Sequence, residues 1–367
     1  MKFCMSTIAW VESIAKKEIE MQWGKIEEVV DRLITFSWDI TLMVRMNLWS
    51  RVWNKVYMLL DEKDWVTDFD TLFDLVKNIH WKRYFKKDFP LLVKSSSVRS
   101  ELFSSRTIQS IWKKAIIKSV KWEAWVLNED DSLEKLEVLV LIIDNKAKIL
   151  LNTSWNALHM RGYRTEAWEA PIKESLAAAL VLLSNWRFKE NMYDPFCGSW
   201  TIAIEALMIA KNIAPWLKRW FAYEKLKLID WDSAEKERAL ARKKNFDWDY
   251  KIFASDIDPE MIEIAKQNAK RAWLEDGIIF EVKDFKDYID NNISWTLVSN
   301  PPYWERLKDE NIRWLYNNID KLFRLNPELK WWIISSYLEF DNQIEKTNYK
   351  KRKLYNWGEK CYFWKRV

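Results

Sequence analysis

Asn300-Pro301-Pro302-Tyr303 is the segment whose residue types point most directly to chemistry. Two prolines stiffen the backbone after an asparagine, leaving the Asn300 side-chain carbonyl and the Pro301 main-chain carbonyl free to accept from one amino group. Tyr303 adds an aromatic face on which a planar base can stack. An Asn-Pro pair by itself forms only a turn; the whole tetrad suits a reaction at an exocyclic amine. Three further segments carry candidates: Asp194-Pro195-Phe196-Cys197-Gly198-Ser199-Trp200-Thr201, Asp256-Ile257-Asp258-Pro259 and Asp284-Phe285. A carboxylate such as Asp256 can accept both hydroxyls of a ribose, while Asp258 ahead of Pro259 reads as a helix N-cap. Asp284 can accept from the exocyclic amine of an adenine with Phe285 packing on the ring, although a lone aspartate there also reads as a loop carboxylate. Cys197 has no base or second ligand nearby and reads as a small packed residue.

Each of these segments follows an apolar run that reads as a strand. Asn191 to Asp194, Lys251 to Ser255, Ile278 to Val282, Thr296 to Ser299 and Trp331 to Ser335 alternate with helical patterns at Thr201 to Lys211, Pro259 to Ala272 and Ile312 to Leu325. That rhythm predicts an α/β architecture with a parallel, doubly wound sheet, in which ligands bind beyond the carboxyl ends of the strands. A helix opened by Pro171 runs to about Ser184 ahead of it, and Asn348 to Tyr355 with Lys360 to Arg366 form a terminal hairpin around Asn356-Trp357-Gly358. The first half mixes element types and predicts α+β. Ile26 to Val30, Asp39 to Met46 and Lys55 to Leu60 read as strands or short helices, Thr71 to Ile79 as a helix and Leu91 to Lys94 as a strand. Ser105 to Lys121 places Ile108, Ile111, Ala115 and Ile116 on one helical face and lysines on the other. Leu136 to Asp144 and Lys146 to Asn152 form a hairpin turning at Asp144-Asn145. The linker from Ser154 to Ala170 is the expected domain boundary.

Composition excludes several classes. In 367 residues with 49% hydrophobic and 31% charged, no apolar run approaches the length needed to span a bilayer. Glu12, Lys16, Lys17 and Glu18 interrupt any signal-peptide core, so a soluble, cytoplasmic protein is expected. Cys4, Cys197 and Cys361 lie far apart and, with only His80 and His159, build neither a disulfide framework nor a zinc site; no metal is expected. Charge is segregated. Between Lys94 and Trp122, seven Lys and Arg face one Glu, and from Glu345 to Val367 eight face two Glu, in a chain whose net charge is +5. Two basic segments in an otherwise acidic chain point to a polyanionic partner.

The segments DPFCGSWT and NPPYWERL resemble the cofactor and catalytic motifs of S-adenosylmethionine-dependent amino-methyltransferases. RGYRTEAWEAPIKESLAAAL, from Arg161 to Leu180, is similar to the linker and first helix of the THUMP-domain RNA guanine-N2 methyltransferases. The likeness spans nearly the whole chain. It is greatest to the bacterial enzymes acting on 23S ribosomal RNA, including their insertion between the first two methyltransferase strands, here Asn212 to Tyr250. It implies a ferredoxin-like region at 1–60, a THUMP RNA-binding domain at 61–160 and a Rossmann-like methyltransferase domain at 165–367. Asn300, Pro301, Pro302 and Tyr303 would then be catalytic. Asp194, Pro195, Phe196, Cys197, Gly198, Ser199, Thr201, Asp256, Ile257, Asp284, Phe285 and Asn300 would hold S-adenosylmethionine. Arg106, Lys113, Lys114, Arg161 and Arg164 would bind RNA. The implied reaction is methyl transfer to guanine N2 of 23S ribosomal RNA, with transfer RNA as the alternative substrate. Adenine-N6 or glutamine amide transfer, and an RNA-binding or ribosome-assembly factor with a dead site, are the other readings.

One departure is systematic. The chain holds 26 Trp and only 5 Gly, against roughly 25 Gly for average usage at this length. Tryptophan stands where the family pattern has glycine at Trp155, Trp168, Trp200, Trp273 and Trp304, and also at Trp38, Trp53, Trp112, Trp216 and Trp295, whereas Trp49, Trp81, Trp186 and Trp220 suit a true aromatic. Some bacteria read UGA as glycine, and a code reading UGA as tryptophan would produce this pattern. A true indole at 200 or 304 would instead crowd the cofactor loop and the substrate pocket.

Overall fold

A computed structural model describes residues 1–30, 32–85, 90–120, 135–164, 172–198, 200–289, 295–303, 309–344, 349–356 and 358–366. Two units divide the chain: one comprises Met1–Thr7, Ala15–Leu158 and Trp216–Lys243, the other Ile8–Ile14, His159–Pro215 and Lys244–Val367.

The first half runs β1 (Lys2–Thr7), α1 (Glu12–Met21), β2 (Lys25–Val30), β3 (Leu33–Ser37), α2 (Thr41–Trp49), β4 (Trp53–Lys63), α3 (Phe69–Lys77), β5 (Leu91–Val98), α4 (Ser105–Val120), β6 (Leu136–Ile143) and β7 (Lys146–Asn152). These strands form one sheet in the order β2-β3-β1-β4-β7-β6-β5, in which only β5 and β6 pair in parallel. The β6–β7 hairpin turns where the sequence places it. Asp144 and Asn145 both take positive φ, 49° and 63°, the geometry a two-residue hairpin loop demands and that Asp and Asn tolerate. Asp39 accepts from the Leu42 N–H (3.0 Å) at the start of α2, which decides the Asp39 to Met46 stretch in favour of helix. On α4, Ile108, Trp112, Ala115 and Ile116 are buried while Arg106, Lys114 and Lys118 are exposed. Trp112 stacks on Trp81, with ring centroids 6.1 Å apart.

The second half runs α5 (Glu174–Ser184), β8 (Met192–Asp194), α6 (Thr201–Ala210), α7 (Trp231–Lys243), β9 (Ile252–Asp256), α8 (Pro259–Arg271), β10 (Ile278–Val282), α9 (Lys286–Ile289), β11 (Thr296–Ser299), α10 (Asp309–Leu325), β12 (Lys330–Ser335), α11 (Phe340–Gln343), β13 (Tyr349–Asn356) and β14 (Glu359–Arg366). Pro171, expected to open α5, lies outside the described residues, as does Glu345. The sheet order is β10-β9-β8-β11-β12-β14-β13; the first five strands are parallel, and β14 and β13 complete it antiparallel. Because β9 flanks β8 on one side and β11 on the other, the strand order reverses at β8. Beyond the carboxyl ends of β8 and β11 lies the place where such sheets bind ligands. Helix α5 packs on α6, and every residue of α6 is buried. Asp258 caps α8 by accepting from the Glu260 N–H (2.8 Å), with Pro259 in the first turn.

The 212–250 insertion does not stay with this sheet. It supplies α7 to the first unit, where Arg45 pairs with Glu237 (3.2 Å) and the Trp216 Nε1–H donates to the Ser50 carbonyl (3.1 Å).

Candidate active site

Asp194, the last residue of β8, is 1% exposed. Its Oδ1 accepts from the Ser299 hydroxyl, and Ser299 ends β11 directly before Asn300. One hydrogen bond therefore joins the loop after β8 to the tetrad after β11. Among the described residues the buried Asp194 Oδ2 has no hydrogen-bond partner, and burial pushes the carboxyl up to about 7 against the pull of Ser299 and the Phe196 N–H.

The loop after β8 is pinned to the end of β9. Cys197 N–H donates to the Ser255 carbonyl (3.0 Å), and Gly198 N–H to Asp256 Oδ2 (3.0 Å). Asp256 Oδ1 accepts from the Asp258 N–H (3.0 Å), and burial raises its pKa. Gly198 sits at φ +45 with nothing among the described residues, its chain neighbours aside, within 4 Å of where a Cβ would stand, so among the described residues this side of the loop is open. Ser199 lies outside the described residues. Beside Asp256, Ile257 is 67% exposed. An open backbone, an unpartnered buried carboxylate oxygen, a second carboxylate and an exposed apolar side chain suit a ligand with an amine, a ribose and a ring; the residues present fit S-adenosylmethionine.

Several expectations are corrected. The Trp200 indole does not face the loop opening: it is completely buried, its ring centroid 4.1 Å from that of Phe280. Trp304 lies outside the described residues. Phe285 is 5% exposed and packs on Phe196, centroids 4.7 Å apart, so its ring is committed to the protein. Asp284 accepts from the Lys286 N–H (3.0 Å) at the start of α9 and acts as a local cap. Cys197, read as a small packed residue, is buried, and burial pushes its thiol well up.

Arg161 and Arg164 are not placed for RNA. The Arg161 side chain is completely buried and bidentate on Glu205 (2.5 and 3.0 Å), which also accepts from the Tyr163 hydroxyl (3.1 Å). Arg164 holds the Ile172 carbonyl (2.9 Å), Thr201 Oγ1 (3.4 Å) and Glu174 (3.1 Å). Together they fasten the segment after residue 158 to α5 and α6, and Thr201, 1% exposed, belongs to that network. Glu205 was signalled by sequence: an acid inside TIAIEALMIA calls for a buried cation. Ser299 carried no signal beyond its place before the tetrad.

Of the tetrad, Pro301 is buried, and Asn300, Pro302 and Tyr303 are half-buried. Tyr303 packs against the core cluster that includes Tyr316 and Tyr337. Arg106, Lys113 and Lys114 lie on α4 of the first unit; Arg106 and Lys114 are exposed and Lys113 half-buried.

Comparison with known proteins places this architecture. Residues 161–364 match the family described as the RMKL-like methyltransferase domain, and residues 66–152 match the THUMP domain. The candidate RNA methyltransferase YpsC of Bacillus subtilis (strain 168) is 36% identical over 94% of this chain and 90% of its own. A candidate methyltransferase, SMU.472, crystallised with SAH, superposes with a TM-score of 0.90 at 32% identity over 100% of this chain and 97% of its own. A Listeria monocytogenes protein named as a predicted N6-adenine-specific DNA methylase gives 0.89 at 33% identity, over 100% and 96%. No helix among the described residues is long and apolar enough to cross a membrane.

Proposed function

Because this chain belongs to the RMKL-like methyltransferase family and takes S-adenosylmethionine as cofactor, we propose that it methylates the exocyclic N2 of a guanine in structured RNA, 23S ribosomal RNA in particular. The observation that carries the reading is the Asp194–Ser299 bond, which ties the open cofactor loop to an amine-accepting tetrad. A THUMP match on a unit with a basic helix, and a relative named for RNA, support RNA as the substrate. Transfer RNA would use the same features.

When bound, the cofactor supplies a methyl group activated on a sulfonium. Asp194, Gly198, Asp256 and Ile257 hold it, with Pro195, Phe196, Cys197, Thr201, Asp284 and Phe285 shaping the segments behind them. Asn300 Oδ1 and the Pro301 carbonyl accept from the substrate amine, aim its lone pair and stabilise the positive charge that grows on nitrogen. Tyr303 stacks on a base turned out of its helix. After transfer the nitrogen sheds one proton, leaving the N-methylated amine and S-adenosylhomocysteine.

The Listeria relative's name favours a second reading, methylation of adenine N6, which this tetrad also suits. Incubating the protein with labelled cofactor and 23S ribosomal RNA, then digesting to nucleosides, separates the two. Label in N2-methylguanosine is expected; label in N6-methyladenosine would replace the guanine reading.

A further inference from the structure

We propose that the open end of the β13–β14 hairpin binds the phosphate backbone of the substrate RNA away from the methylated base. In the register of this hairpin, Lys350 stands directly opposite Lys365 and Arg352 opposite Phe363. Cross-strand partners share a face, so three cations crowd one side of the ribbon. On that face Leu354, Cys361 and Phe363 are buried, and the cations begin where cover stops. They line a groove of about 320 Å³ closed on its other wall by Leu183 and Asn185 at the end of α5. The opposite face shows what neutralisation looks like in this hairpin: Lys351 is paired with Asp341, and Lys353 lies over Tyr355, 5.1 Å from the ring centroid. Among the described residues Lys350, Arg352 and Lys365 have no carboxylate partner. Like charges set opposite one another destabilise a sheet, and a row of phosphates relieves that repulsion.

This rests on RNA being the substrate. The test measures binding of a 23S ribosomal RNA transcript across a range of salt concentrations, for the wild type and for Lys350→Gln/Arg352→Gln/Lys365→Gln, alongside cofactor affinity. The expected result is about a tenfold or greater loss of RNA affinity at physiological salt, a salt slope flattened by about 2 to 3, and unchanged cofactor affinity. If the triple variant does not fold, Lys350→Gln alone should flatten the slope by about 1. An unchanged slope overturns the groove, whereas a wild type that binds no RNA overturns the RNA reading itself.

A second inference stands on backbone geometry alone: we infer that positions 10, 23, 65, 155, 200 and 273 are glycine in the protein made by its own cell. Among the described non-glycine residues with positive φ are Trp10 (72°), Trp23 (70°), Trp65 (57°), Trp155 (65°), Trp200 (69°) and Trp273 (60°). Trp10, Trp23, Trp65 and Trp273 are 51%, 73%, 79% and 76% exposed, so burial of the indole is not what holds them there. Trp23 and Trp273 occupy the left-handed position after α1 and α8 in the same double-bonded helix ending: Gly24 N–H donates to the Ile19 carbonyl and Trp23 N–H to Glu20, and Leu274 N–H donates to Ala269 and Trp273 N–H to Lys270. That position is usually glycine and sometimes asparagine, and α6 ends the same way on Asn212. Trp81 and Trp186, whose indole N–H groups donate to the Val76 and Glu190 carbonyls, are absent from the positive-φ set.

One cause covers all six: UGA codons that the cell reads as glycine. Mass spectrometry of the native tryptic peptides 18–25, 190–211 and 272–283 should find glycine mass at positions 23, 200 and 273, and the gene should carry UGA there. Recombinant Trp273→Gly should also melt several degrees higher than the tryptophan form. Tryptophan mass in the native peptides overturns the inference.

Discussion

Asn300 carries no charge and titrates nowhere near neutrality, so removing its side chain tests geometry alone. Asn300→Ala deletes one of two acceptors aimed at the amine and touches no bond of the loop after β8. We expect the single-turnover rate at saturating RNA to fall by about 10² to 10³, as on losing one preorganised group, with cofactor affinity within a few-fold of wild type. A rate within a few-fold of wild type would remove Asn300 from the mechanism. Asp194 makes a pH-dependent prediction. Its folded pKa, raised to about 7 from 3.8, means that protonation favours the folded state; that contribution is complete below about pH 4 and lost as pH rises to about 7. Asp194→Asn keeps an acceptor for Ser299 without titrating, so the wild type should lose melting temperature relative to the variant between pH 4 and 7, and the gap should stop changing above 7. His159, held near 4 by burial, acts in the opposite direction but equally in both proteins. At this scale the sequence was legible where chemistry is local, as at Asn300 or the Asp258 cap. It was not legible at Arg161 and Arg164: a cation looks the same in sequence whether it meets water or a carboxylate 44 residues further along the chain.

The helices separate those two fates. Inside α6, Glu205 is fully buried against a fully buried Arg161, and neither charge is tolerable alone. Glu205→Ala should cost about 3 to 5 kcal/mol by stranding the guanidinium, whereas a paired Arg161→Met/Glu205→Leu should recover most of that loss; chemical denaturation of the three proteins decides it. A pair worth little would show the single variant near wild type. On α4 the cations face outward. Neutralising Arg106, Lys113 and Lys114 should flatten the salt dependence of RNA binding by up to about 3 and leave cofactor affinity alone; an unchanged slope removes this helix from the RNA surface. Helix α4 follows from the 3.6-residue pattern, whereas α6 is apolar all round and shows only as an apolar run of helical length; the parallel strands follow from their short apolar runs. The strands β1 and β3 went unread because the apolar run of β1 is only Phe3, Cys4 and Met5, flanked by polar residues, and β3 is a five-residue piece whose pairing partners lie elsewhere in the chain.

At the scale of the molecule the chain does not divide where its sequence motifs do. Its methyltransferase match begins at residue 161, yet Trp216–Lys243, inside that match, belongs to the first unit. The attachment is specific. Tyr223 N–H donates to the Thr153 carbonyl (3.1 Å), Arg219 reaches the Ser154 (2.9 Å) and Asn156 (2.7 Å) carbonyls, and buried Trp216 is bonded to Ser50. The first unit thus borrows part of its core from the second half of the sequence. Nothing in the local pattern of the insertion announces this, because its amphipathic helix would look alike against any apolar surface. A cut after Leu158 should therefore yield two fragments that each fail: 1–158 lacking the α7 layer, and 159–367 carrying exposed Trp216, Phe221 and Tyr223, which are 2%, 0% and 0% exposed in the intact chain. Expressed separately they should aggregate or bind a hydrophobic dye, and expressed together they should assemble and recover cofactor binding. A 159–367 fragment that is monomeric, cooperatively folded and cofactor-binding by itself would show that the borrowed segment contributes little, and that the two halves of the sequence fold as independently as their motifs suggest.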